Sequence, residues 1–115
     1  MTFTCKLPWP PTVNNYYTVW KGRKIISKKG KQFKADCSHW IHRLPDPMVG
    51  KLQLDISVCM PDKRRRDIDN LLKPILDVLG QYGVYEDDSQ IVDLRIRSVE
   101  GEKGSVNLTI KEIQQ

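Results

Sequence analysis

The chain has 115 residues, 39% of them hydrophobic, which suits one domain with a modest core and excludes a separate substrate domain or a large internal cavity. The net charge of +5 is unevenly spread: residues 1–44 carry nine Lys/Arg and one acid, Asp36, whereas residues 45–115 carry ten Lys/Arg and thirteen acids. A basic half joined to a locally acidic half points to a polyanion held by one part and a cation by the other, with a solvated charged face as the bland competitor.

In chain order, Phe3 to Leu7 reads as a short strand that stops at Leu7-Pro8-Trp9-Pro10-Pro11, where proline forbids helix and central strand alike. Thr12 to Asn15 continues as loop. Tyr16 to Trp20 is aromatic and β-branched, and Lys21-Gly22 turns it into Arg23 to Ile26, a hairpin. Ser27 is a good N-cap for a helix over residues 28–44, with Phe33, Cys37, Trp40, Ile41 and Leu44 on its core face, Gly30 weakening its first turn and Pro45-Asp46-Pro47 ending it.

Residues 51–60 alternate cleanly, placing Leu52, Leu54, Ile56, Val58 and Met60 on one face of a half-buried strand that Pro61 stops. After the polar stretch Asp62 to Asn70 comes an apolar helix whose buried stripe runs from Ile68 to Leu79 and which Gly80 or Gly83 closes. Pro74 fits only near a helix start, so Asp67 to Asn70 should form the entry turn. Glu86-Asp87-Asp88-Ser89 is an exposed acidic loop. Two further alternating strands follow, around Val92-Leu94-Ile96 and Val106-Leu108-Ile110, joined by a turn at residues 101–104. The expected fold is α+β, a single small domain over residues 1–115 with a mixed, mostly antiparallel sheet and two helices.

Cys5, Cys37 and Cys59 are odd in number and lack a C-x-x-C, which argues against a zinc ribbon or disulfide framework; three free thiols suit a reducing cytoplasm. The N-terminus has no apolar leader and no run approaches membrane-spanning length, so a cytoplasmic protein is expected.

The chemistry concentrates in Asp62-Lys63-Arg64-Arg65-Arg66-Asp67-Ile68-Asp69-Asn70-Leu71-Leu72-Lys73. Carboxylates at i and i+2 diverge by about 200° on a regular helix, yet can share one space at a strand-to-helix junction. Two close carboxylates repel, and a hard divalent cation such as Mg²⁺ relieves that repulsion best. Asp67 and Asp69 offer two ligands, and Glu86-Asp87-Asp88 is the obvious source of a third. Lys73, four residues after Asp69, could steady a phosphate or a leaving oxygen. Lys63, Arg64, Arg65 and Arg66 would bring a phosphodiester to the metal. The competing reading is N-capping aspartates beside a solvated Arg strip.

These segments resemble the RusA family of Holliday junction resolvases: Leu7-Pro8-Trp9-Pro10-Pro11, Asn14-Asn15-Tyr16-Tyr17, Arg64 to Lys73, and Asp87-Asp88-Ser89-Gln90-Ile91-Val92-Asp93 keep that family's order and spacing. The likeness is weakest in residues 30–50. The resemblance implies a homodimer that binds four-way DNA junctions and cuts them symmetrically with Mg²⁺ (Mn²⁺ substituting), in recombination and repair. It implies metal-site aspartates at Asp67, Asp69 and Asp88, Asp88 being preferred to Asp87, and a catalytic lysine at Lys73. It also implies a phage or prophage origin. Independently, a four-way junction has two-fold symmetry and needs two nicks, which a C2 pair of one-site chains supplies.

Lys21, Arg23, Lys24, Lys28, Lys29, Lys31 and Lys34 are candidates to track DNA arms, although for any single lysine plain solubility is the simpler role. His39 and His42 at i, i+3 are metal candidates with no third partner. Trp9 and Trp20 are candidates for base stacking, with core or dimer packing as the simpler role. Two rivals stay open: a non-catalytic basic DNA-binding phage protein, and a nuclease of broader branched-DNA specificity.

Overall fold

A computed structural model of the chain describes residues 1–41, 44 and 46–113. The alternation in residues 52–59 builds the central strand β4 (Leu52–Cys59), in which Leu52, Leu54, Ile56 and Val58 are fully buried. β6 (Ser105–Glu112) runs antiparallel to it, setting Ile110 against Leu54 and Leu108 against Ile56. β1 (Thr2–Leu7) pairs antiparallel with the other side of β6, and β5 (Ile91–Ser98) pairs parallel with the free side of β4. The sheet order is β1-β6-β4-β5. The sheet is mixed and mostly antiparallel, as the sequence predicts. Its one parallel pair needs the long return through the second apolar helix.

β2 (Tyr17–Trp20) and β3 (Arg23–Ile26) form the predicted hairpin, but as a separate two-stranded sheet. Its two-residue turn has positive φ at both Lys21 (50°) and Gly22 (72°), the geometry whose twist matches the strands. Trp20, 58% exposed, is neither core nor packed against it. Trp9, by contrast, is partly buried against the core.

Among the described residues three α-helices are present rather than two. Residues expected as loop form the one-turn α1 (Val13–Tyr16), closed by Asn15 and Tyr16 amides donating to the Thr12 carbonyl at 2.9 Å. Ser27 caps α2 (Lys28–Cys37) by accepting from the Gly30 amide at 3.0 Å. α2 ends seven residues short of the predicted boundary at residue 44. The Ser38 hydroxyl donates to the Ala35 carbonyl at 2.6 Å, and the Ser38, His39 and Trp40 amides all reach back three residues. That tightening leaves Trp40 exposed, while Ile41 still reaches the core. Gly30 is a requirement rather than a weakness: a Cβ there would lie 2.5 Å from the Tyr16 carbonyl oxygen and 2.7 Å from Ile26 Cγ2.

A 3₁₀ turn (Ile68–Leu71) leads into α3 (Leu72–Gln81), so Asp67 to Asn70 do form an entry turn. Pro74 is the third residue of α3, where an α-helix has no use for the missing amide. Leu71, Ile75, Val78 and Leu79 join Phe33, Cys37 and the inward residues of β1, β4 and β6 in one core. The result is a small α+β domain. The cysteines are free, and no described helix is long and apolar enough to cross a membrane.

Candidate active site

Where β4 ends, the chain turns through the basic run, and one acid organises it. Asp62 accepts from the Arg64 amide at 2.9 Å and from the Arg64 and Arg66 guanidinium groups at 3.1 and 3.0 Å. Arg66 is the strongest of the causes that hold the Asp62 carboxyl well below the usual carboxylate range. The Arg66 side chain is only 18% exposed, whereas Arg64, Arg65 and Lys63 are solvent-facing. The four cations are therefore not equivalent: two of them already share a carboxylate.

Asp67 follows in extended conformation (φ −86°, ψ 121°) and its side chain makes no capping bond to the turn it precedes. The N-capping explanation for the first aspartate is thereby removed. Asp67 lines an open cleft with Thr12, Arg65, Arg66 and Asn70. Asp69 is exposed within the 3₁₀ turn.

The acidic segment after α3 is a second 3₁₀ turn (Asp88–Gln90), and its two aspartates have different jobs. Asp87 accepts from the Ser89 amide at 2.9 Å, while Gln90 Oε1 accepts from the Asp87 amide at 3.0 Å, a capping box. Gln90 Nε2 also donates to the Met48 and Gly50 carbonyls at 3.1 and 3.0 Å, fixing the turn to the segment before β4. The Ser89 amide, first among the causes, draws the Asp87 carboxyl below its ordinary value. Asp87 is thus occupied by the backbone, and Asp88 has no such duty.

Asp88 faces α3. Lys73 Nζ lies 4.0 Å from Asp88 Oδ2 and 3.0 Å from Asp77 Oδ1, one turn further along the helix. The Tyr17 hydroxyl of β2 donates to the other Asp77 oxygen, Oδ2. Burial raises the Asp77 carboxyl above its ordinary value, and the Asp88 charge adds to that. Burial likewise pushes up the Tyr85 phenol, followed by the charges of Asp88, Asp77 and Asp87. Tyr85, Leu76, Asp77, Glu86, Asp87 and Asp88 line a shared cleft.

Lys73, Asp77 and Asp88 are therefore brought together, while Asp67 lies against the arginines. Among the described residues, no three His, Cys, Asp or Glu side chains close on one point at metal-binding distance. The donor chemistry nevertheless fits a hard divalent ion: Asp67, Asp69 and Asp88 offer carboxylate oxygens only, and all three residues are exposed.

Sequence reasoning quoted Asp62 and Tyr17 only as members of longer segments and gave no role to either, or to Asp77. Asp77 carried a readable signal, a charged residue inside the apolar stripe of α3 and four residues after Lys73; the reach of Tyr17 across the fold carried none. Lys21, Arg23 and Lys24 stand exposed on the hairpin, and Lys28, Lys29 and Lys31 stand exposed on α2. Lys34 is half-buried and His39 is exposed, while His42 lies outside the described residues.

A family model described as endodeoxyribonuclease RusA matches residues 8–111. The chain is 37% identical over 115 residues to a crossover junction endodeoxyribonuclease RusA of Shigella sonnei, covering 97% of this chain and 96% of that one. An Escherichia coli protein of the same name is 36% identical with the same coverage. The crossover junction endodeoxyribonuclease of Enterobacteria phage HK97 is 39% identical over 111 residues, covering 94% and 92% of the two chains.

Proposed function

The chain belongs to the RusA family of endodeoxyribonucleases, and from that premise we propose that it resolves four-way DNA junctions as a homodimer, by Mg²⁺-dependent hydrolysis of opposed phosphodiesters. One observation carries the reading. An ammonium, Lys73, stands 4.0 Å from Asp88 and 3.0 Å from Asp77, two acids that line one cleft, while the uncapped Asp67 lines another with Arg65 and Arg66.

Asp67, Asp69 and Asp88 would hold the cation. When bound, Mg²⁺ or Mn²⁺ draws charge from a phosphate oxygen and makes a water molecule more acidic. The chain's own residues do the rest. Arg65 and Arg66, beside Asp67, hold the phosphodiester by charge-assisted hydrogen bonds. Lys73 donates to the oxygen on which negative charge grows as the bond to phosphorus breaks. Lys63, Arg64, the hairpin residues Lys21, Arg23 and Lys24, and Lys28, Lys29 and Lys31 of α2 extend the contact along the DNA arms.

A pair of chains supports symmetric cutting, and β5 offers a surface for pairing. It is an edge strand whose Val92 and Leu94 are 56% and 42% exposed. The relatives include proteins of bacteria and of phages, which agrees with a phage or prophage setting.

The test is cleavage of a synthetic mobile four-way junction against a linear duplex of the same sequence, with Mg²⁺ and with EDTA. Paired symmetric nicks on the junction alone, and only with Mg²⁺, support the reading. Nicks spread equally over forks and flaps favour a nuclease of broader branch specificity. Binding without cutting under every metal tried sinks the enzyme reading and leaves a DNA-binding protein.

Asp62 provides a separate check on the DNA surface. Asp62→Asn removes the carboxylate that Arg64 and Arg66 share, freeing about one positive charge for phosphate. The plot of log affinity against log salt is expected to steepen by about one, on junction and duplex alike. An unchanged slope would place these arginines away from DNA.

A further inference from the structure

We infer that Asp77, held by the Tyr17 hydroxyl, is a positioning residue that aims the Lys73 ammonium at the reacting phosphodiester; this rests on the nuclease reading above. The chain of contacts starts in the core. Tyr16 is fully buried, and its ring stacks edge-on against Tyr17 at 4.8 Å between centroids. Tyr17 donates its hydroxyl proton to Asp77 Oδ2, and Asp77 Oδ1 holds Lys73 Nζ at 3.0 Å. Lys73 in turn stands 4.0 Å from Asp88.

Three physical points separate this from an ordinary surface ion pair. The first is the order along the helix. A lysine four residues before an acid is the weaker of the two i,i+4 orientations, so the pair adds little to helix stability. The second is burial. The Asp77 side chain is 15% exposed, and a carboxylate so placed costs free energy that a solvent-facing pair avoids. Burial, ahead of the Asp88 charge, duly raises its carboxyl. The third is the cross-element tie. Tyr17 belongs to β2 of the hairpin, not to α3, so the carboxylate is fixed from outside its own helix. A flexible lysine, 50% exposed, is thereby confined to one direction, toward the acid turn. Confinement of a reacting group is worth rate, since a small misplacement at the reacting centre is costly.

The competing role for Asp77 is as a further cation ligand beside Asp88, and a double-mutant cycle distinguishes the two. The measurement is kcat, junction KM and the Mg²⁺ concentration giving half-maximal cleavage, with melting temperature as the control. Asp77→Asn keeps shape and removes the charge. It is expected to lower kcat about 10–100-fold, the usual range for a partner that orients a site residue. Junction KM and the Mg²⁺ midpoint should stay within about twofold. Tyr17→Phe, the milder variant, should lower kcat in the same direction by a smaller factor. Asp77→Glu should recover part of the loss. Added to Lys73→Ala, Asp77→Asn should cost nothing further, because its effect runs through that lysine.

A raised Mg²⁺ midpoint, additive losses in the double variant, or wild-type kcat in Asp77→Asn would each overturn the assignment. So would a fall in kcat that only follows a fall in melting temperature. Those outcomes all require that the wild-type protein cuts junctions. If the wild type cuts nothing under any metal, the nuclease reading fails and this inference falls with it.

Discussion

Asp69→Asn is expected to abolish junction cleavage while junction binding is kept or tightened. Asp69 is exposed within the 3₁₀ turn, and among the described residues its side chain makes no hydrogen bond or ion pair, so the fold does not depend on it. Replacing its carboxylate by an amide of the same shape should leave the melting temperature unchanged or slightly raised, since a negative charge near Asp67 is removed. Its expected value lies in chemistry. A divalent cation contributes several kcal/mol of charge stabilisation to a phosphoryl transition state. At about 1.4 kcal/mol per tenfold in rate, loss of a ligand predicts at least ~10³-fold in kcat. Binding moves the other way, because the variant presents one less negative charge to the phosphate backbone. Cleavage is read in Mg²⁺ and binding in EDTA, on the same junction. Loss of binding in this variant would show that Asp69 shapes the DNA surface rather than the reaction. Retained cleavage would remove it from the cation site.

How far the sequence foretold the molecule depends on the range of each interaction. β4 is legible because its alternation is strict and both of its flanking strands are in the sheet. The alternation of β5 is equally clear, yet Val92 and Leu94 are exposed, because a period of two says which residues share a face and not what covers that face. The parallel partner of β5 was readable only indirectly, from the helix that separates it from β4. The end of α2 was missed because local bonds at Ser38 to Trp40 outcompeted an apolar pattern that runs on to residue 44. Gly30 looked like a weakness because the Tyr16 carbonyl that it accommodates lies outside its own helix.

The site divides in the same way. Pro74 placed Asp67 and Asp69 on an entry turn by local sterics. The preference for Asp88 over Asp87 came from family likeness, and the capping box now gives it a physical reason: Asp87 is spent on its own turn. The basic run was legible as charge but not as pairing. Asp62 stands two and four residues from the arginines it binds, and nothing in a D-x-R-x-R spacing alone distinguishes a clamp from a solvated strip.

In the homodimer proposed above, with β5 as the contact, Leu94→Asp is expected to separate the two chains and to end paired nicking. In β5, Leu94 sits in register with the fully buried Leu54 of β4, and Ile96 with Ile56, so this face of the edge strand is built as an apolar surface. Val92 and Leu94 nonetheless remain exposed within one chain, and among the described residues the outer edge of β5 has no strand partner. In a lone chain Leu94 is 42% exposed, so the new carboxylate reaches water and the fold should lose about 1–2 kcal/mol, from the covered part of the side chain and the poor strand propensity of Asp, which a melting curve reads separately from dissociation. In a two-fold pair the substitution occurs twice, and an unpaired charge buried at each position costs several kcal/mol. At about 1.4 kcal/mol per tenfold, the dimer dissociation constant should rise by at least ~10³-fold. Sedimentation velocity over a concentration series reads this directly, beside a count of singly and doubly nicked junctions. Each freed chain keeps its basic segments and acid turn, so weak DNA binding and slow unpaired nicks should persist. A variant that stays dimeric and cuts in pairs would move the contact off β5. A monomeric variant that still makes paired nicks would break the link between two-fold symmetry and two-site cutting, because a chain with one acid turn would then be serving both strands in succession.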